Sequence, residues 1–137
     1  MKTLHEINEQ LVNINSYTDI NNVVDDILGL KAEHCIDPFW GSAHRTLLIA
    51  AIGYFYETDG FVLDLKEIRD FINKLIVNAD NVKSEFDFLF RMFGRNNPKS
   101  TAYHHYKSFR LAPEKFGISV ATETINFLEH YYLNYKI

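Results

Sequence analysis

Very little in this chain could staple or chelate: its 137 residues include one cysteine, Cys35, only three prolines and six glycines. A single thiol cannot close an internal disulfide and excludes an all-cysteine metal site, which fits a reducing compartment. Long apolar runs are missing as well. The longest, residues 47–56, falls well short of the roughly 18 residues that span a bilayer. The opening Met1-Lys2-Thr3-Leu4-His5-Glu6 has no apolar segment of a secretory signal. A cytoplasmic chain that makes no membrane contact is therefore expected. With no repeat, linker or low-complexity tract, residues 1–137 read as a single domain large enough to bury one core. Alternating β-branched runs bounded by hairpin turns are absent too, so strands are not expected.

What the chain has instead is aromatic side chains, 15% of the total, and a series of helix starts. Thr18 or Asp19 opens a first helix through Ile20, Val23, Val24, Ile27 and Leu28 that stops at Gly29. A loop of about eight residues follows. Asp37 then caps a central apolar helix: Pro38 suits the first helical position because no donor is needed there, and Leu47 to Ile52 form its buried body. Thr58-Asp59-Gly60 turns the chain near Glu57. Asp64 with Glu67 has the form of a capping box, and Leu65, Ile68, Phe71, Ile72, Leu75 and Ile76 recur at helical spacing. Ser84 caps a fourth helix striped by Phe86, Leu89, Phe90 and Phe93.

Pro98 permits a restart, with Ala102, Tyr106 and Phe109 facing inward on a helix that reaches Ala112. Pro113 begins the last helix, whose seam is Ile118, Ala121, Ile125, Leu128 and Tyr132. The sequence thus predicts an all-α, compact bundle of about six helices around a central apolar helix starting at Asp37.

Catalytic patterns are weak. Gly94-Arg95-Asn96-Asn97-Pro98-Lys99-Ser100 ends in Lys-Ser, but Phe93 and Pro98 occupy the two glycine positions of a phosphate-binding loop, and proline has no N–H to offer a phosphate. His104 and His105 are adjacent and diverge on a helix, so they cannot share a metal as an i, i+4 pair would. His34, Cys35 and Asp37 form a mixed ligand cluster without a fourth partner at metal-site spacing. Ser42 lacks the Gly-x-Ser-x-Gly elbow, and His44 reads as a core or boundary histidine. Glu6, Glu9, Asp25 and Asp26 read as solvated carboxylates. No catalytic residue, cofactor or metal is expected.

Charge is more informative. Residues 91–115 hold six basic side chains against Glu114 alone, so this segment carries +5 and the remainder −9 of a net −4. Arg91, Arg95, Lys99, Tyr103, Lys107, Arg110 and Lys115 interleave cations with an aromatic, the composition that suits a protein partner or a nucleic-acid strand. A pI near 5.8 makes any DNA contact local, weak and salt-sensitive.

Asp37-Pro38-Phe39-Trp40 with Ala43, Leu47 and Leu48, then Phe88-Leu89-Phe90, then Ala102, Tyr106 and Phe109, then Lys115 with Ile118 and Ser119, resembles the all-alpha domain of type IV secretion coupling proteins. These are the TraG-like conjugal transfer ATPases, and Asp-Pro-Phe-Trp is most similar to the Gram-positive type. The match covers residues 14–128. In that family the helical domain is inserted in a RecA-like motor, between the nucleotide-binding loop and an acidic strand, and this sequence contains neither motif.

The resemblance therefore implies a helical insertion without ATPase activity, monomeric alone and part of a hexamer in its parent protein at the cytoplasmic face of the membrane. The implied role is substrate recognition for conjugative DNA transfer. Its partners would be a relaxase or relaxosome accessory protein, with single-stranded or duplex DNA as a weak further contact. A stand-alone helical DNA-binding regulator is the alternative expectation, and a small metal-dependent enzyme a third.

Overall fold

The computed structural model describes residues 2–33, 38–76, 84–111 and 114–135, with side chains from 2–29, 42–76, 84–111 and 116–133. These residues form seven helices: α1 (Leu4–Val12), α2 (Tyr17–Glu33), α3 (Pro38–Asp59), α4 (Leu65–Ile76), α5 (Glu85–Asn96), α6 (Thr101–Phe109) and α7 (Glu114–Tyr135). No strand is present among them.

α3 is the axis around which the others assemble. It packs against α2, α4, α6 and α7, and Leu47, Leu48, Ala50, Ala51 and Ile52 along it are wholly removed from water. A helix apolar on nearly every side can only be stable in such a position. It starts at Pro38, the first helical position, while Asp37 lies outside the described residues. Its C-terminal turn ends at Gly60, whose φ of 83° is a left-handed value that a side chain would disfavour.

Of the predicted apolar positions of α4, Leu65, Ile68, Phe71, Ile72 and Leu75 are buried and Ile76 is half-buried, and those of α6 (Ala102, Tyr106 and Phe109) are all buried. Phe71, Phe86, Phe90 and Tyr106 join them in an aromatic cluster, in which the Phe90 and Tyr106 rings stack 4.6 Å apart. Such ring pairs add about 0.5–1.5 kcal/mol beyond area burial.

Four details depart from the sequence reading. A seventh helix, α1, precedes the predicted six: Thr3 accepts from the Glu6 N–H, and Glu6 reaches back to the Thr3 N–H, a full capping box. Leu4, Ile7 and Leu11 then bury its inner face. Helical structure also resumes past Gly29 (φ 44°), so part of the predicted loop belongs to α2. α6 ends at Phe109 with Arg110 as its C-cap, and the predicted end at Ala112 lies outside the described residues. Finally, α7 packs on both α3 and α4, so Val120, Thr124 and Tyr131 are buried alongside Ala121 and Leu128, a wider face than a single seam.

Polar contacts fix the helices to one another. Lys2 and Gln10 both meet the Asp26 carboxylate, at 2.9 and 2.8 Å, tying α1 and the residue before its cap to α2. Arg45 of α3 bonds Asp25 and Asn21 of α2, and Arg69 of α4 reaches Glu129 of α7 at 3.0 Å. Asp26 is thus a half-buried anchor between α1 and α2, whereas Asp25 is exposed, as expected, and pairs with Arg45 at the surface.

Candidate recognition surface on α5 and α6

α5 and α6 form a helical hairpin joined by the turn Asn97-Pro98-Lys99-Ser100. Ser84 caps α5 by accepting from the Asp87 N–H at 3.2 Å, and Ser100 caps α6 by accepting from the Tyr103 N–H at 3.1 Å. The free N-terminal end of α6 is held to α3 by Glu57, whose carboxylate accepts from Ser100 Oγ at 2.9 Å, from the Ala102 N–H at 3.0 Å and from the Tyr17 hydroxyl. A carboxylate at a helix N-terminus satisfies orphan donors and complements the dipole there. Burial, followed by the Glu57 bond, raises the Tyr17 hydroxyl far above its ordinary pKa, so it stays a donor.

Two contacts set the spacing of the hairpin. Gly94 lets α6 approach: a Cβ there would stand 2.2 Å from the Tyr103 ring. About two turns earlier, Asp87 is buried and accepts four bonds, from Ser84 Oγ (2.8 Å), Tyr106 Oη (2.7 Å), Arg110 Nε (2.7 Å) and Arg110 Nη2 (2.6 Å). Burial pushes the Asp87 carboxyl up, but the Arg110 guanidinium and the Tyr106 and Ser84 hydroxyls outweigh it and hold the carboxyl below its ordinary range. Arg110 therefore completes a buried fork-on-carboxylate pair and belongs to the scaffold.

That assignment divides the seven predicted surface residues. Arg95, Lys99 and Lys107 are exposed, and Arg91 is half-buried with its Nε 3.4 Å from the Asp87 carbonyl on its own helix. Among the described residues, no carboxylate pairs with any of these four cations, in contrast to Lys2, Arg45, Arg69, Lys74 and Arg110. Tyr103 is half-buried, laid over Gly94 with the Lys107 ammonium 5.0 Å from its ring centroid. Arg91 lies one turn from both Asp87 and Gly94, the two α5 positions that meet α6. The Lys115 side chain lies outside those described.

The structure thus places Arg91 and Arg95 on α5, Lys99 in the turn, and Tyr103 with Lys107 over its ring on α6, and it commits Arg110 to Asp87. The residue that sequence reasoning missed is Asp87. Its only local signal was an acidic residue at the third position after the Ser84 cap.

The other sequence candidates separate cleanly. His34, Cys35 and Asp37 lie outside the described residues. His104 is exposed, and the Nδ1 of His105 lies 2.9 Å from the Thr101 carbonyl one turn back. His44 is buried with its Nε2 3.7 Å from Glu123 of α7, as expected for a boundary histidine. Among the described residues no three His, Cys, Asp or Glu side chains are placed to hold a metal, and no helix is long and apolar enough to cross a membrane. No protein-family model, curated protein or solved structure matches this chain.

Proposed function

We propose that this chain is a non-catalytic, cytoplasmic recognition domain of a conjugative coupling protein, receiving a relaxase or a relaxosome accessory protein. The supporting observation is the α5–α6 hairpin, where four cations have no carboxylate partner among the described residues and Lys107 lies over Tyr103, on a scaffold whose remaining arginines are committed to ion pairs. Unpaired charge held on rigid helices favours encounter with an oppositely charged partner and fixes its register. The coupling-protein identity comes from the resemblance carried by Asp37 to Trp40, Phe88 to Phe90, Ala102, Tyr106 and Phe109. DNA contact through the same cations is a secondary role, weak and salt-sensitive in a chain of net charge −4.

The experiment is a titration of the full chain with the relaxase of its own element, followed by anisotropy at low and moderate salt. Reversing Arg91, Arg95 and Lys107 to Glu together should weaken binding by about tenfold or more. Arg110 is excluded from that set because reversing it would set like charges together at Asp87. Undiminished binding by the triple variant would remove the proposed surface. A relaxase that fails to bind while duplex DNA binds with a steep salt slope would favour the regulator instead.

A further inference from the structure

α5 carries three phenylalanines in its first two turns, and they face opposite ways. Phe86 and Phe90 are wholly buried against α4 and α6, whereas Phe88 is 55% exposed. Met92, one turn after Phe88, is 43% exposed, so the two form a continuous apolar step on the outward face of the helix. Arg95 follows on the same face, and Arg91 borders it on the α6 side. The first position of this face, Glu85, is its one carboxylate and is held by Lys74 at 3.1 Å. Asp87 points away and is consumed by Arg110. The face therefore has an apolar centre and a guanidinium rim that meets no carboxylate among the described residues.

We infer that this face docks a helical segment of the partner protein that is apolar along one stripe and acidic along its flanks. Phe88 and Met92 are the anchors, and Arg91 and Arg95 take the carboxylates. Phenylalanine, methionine and arginine are the side chains over-represented in interface centres, and a flexible thioether beside a rigid ring adapts to the apolar side chain it meets. Guanidinium forks match carboxylates in geometry as well as charge. A nucleic-acid strand fits less well, because it would stack on the Phe88 ring alone, leave Met92 unused, and gain nothing for its phosphates from the apolar centre. The partner's protein class rests on the recognition reading above, while the stripe itself can be tested without it.

The probe is a labelled helical peptide of about four turns, with leucines at i, i+3, i+4 and i+7 and glutamates on both flanks, titrated into the full chain. Phe88→Ser with Met92→Ser should weaken binding by about tenfold or more, while the unfolding midpoint falls by less than about 10 °C because each side chain is already about half exposed. Arg91→Glu with Arg95→Glu should abolish binding of the glutamate peptide and create binding of its lysine counterpart, a charge swap that loss of folding cannot imitate.

Equal binding by the serine variant, or no binding by the parent chain, overturns the stripe. So does preference for an oligothymidine over the peptide, or self-association of the chain that the serine variant abolishes. If the relaxase binds the parent and serine variants equally, the stripe fails and the recognition reading stands. If the peptide binds at this face but the relaxase does not bind the chain, the stripe stands and that reading fails.

Discussion

Removing the Asp87 side chain tests whether Arg110 belongs to the scaffold or to the surface. If the pair were an ordinary exposed salt bridge, Asp87→Ala would cost between 0 and about 1 kcal/mol. The geometry argues for more. The Asp87 and Arg110 side chains are 11% and 21% exposed, and the carboxylate accepts two bonds from the guanidinium as well as bonds from the Tyr106 and Ser84 hydroxyls. Breaking a fully buried pair from one side costs about 3–5 kcal/mol, because the surviving charge is left uncompensated. The residual exposure of Arg110 lets water recover part of that, so the expected loss is about 2–4 kcal/mol.

Urea unfolding followed by far-UV circular dichroism would measure it, and a chain of this length is expected to unfold in one cooperative step. The melting midpoint should fall on the order of 10 °C. A double-mutant cycle with Arg110→Ala should give a coupling of about 1.5–3 kcal/mol. A loss below about 0.5 kcal/mol, or additive single effects, would refute the buried-pair argument and return Arg110 to the candidate surface.

The same pair has a pH signature: a carboxyl whose folded pKa is lowered contributes stability fully above its unfolded value of about 3.9, and loses it as pH falls toward the lower folded value. Acid titration of the parent chain should therefore show a stability loss in that window that Asp87→Asn lacks. Gly94→Ala should destabilise despite alanine's better helix propensity, because the new Cβ meets the Tyr103 ring at 2.2 Å, and adding Tyr103→Ala should restore the advantage of about 0.5–1 kcal/mol relative to Tyr103→Ala alone. Glu57→Ala should cost about 1–2 kcal/mol by uncapping α6, with faster amide exchange at Ala102 as its local mark. Thr3→Ala should cost about 1 kcal/mol and fray α1, whereas Ser42→Ala, at an exposed position, should change stability by less than about 0.5 kcal/mol.

Helix bodies were readable because their signals are local. The apolar spacing of α4 depends only on which face a residue occupies within its own helix, and five of its six predicted apolar residues, Leu65 to Leu75, are buried while Ile76 at the helix end is half-buried. α1 carries signals of the same local kind, since Thr3 with Glu6 and the spacing of Leu4, Ile7 and Leu11 obey the same rules. The breadth of the buried face on α7 was less accessible. A seam of one residue per turn implies one neighbour, and that α7 packs on α3, α4 and α1 depends on how those helices cross it.

The candidate surface shows the harder limit. In sequence Arg91, Arg95, Lys107 and Arg110 are equivalent cations, and a charge count weighs them equally. What separates Arg110 is a carboxylate 23 residues earlier on a different helix, brought within reach because Gly94 admits the Tyr103 ring and lets α5 and α6 lie close. A pairing made by helix approach leaves no local pattern, so neither Asp87 nor the neutralisation of Arg110 could be read in advance. The consequence reaches function: pairing Arg110 with Asp87 shifts the uncommitted positive charge toward Arg91, Arg95, Lys99 and Lys107. Phe88 and Met92 stand on that same outward face. The carboxylate that locks the hairpin thus also determines which of its cations remain for a partner.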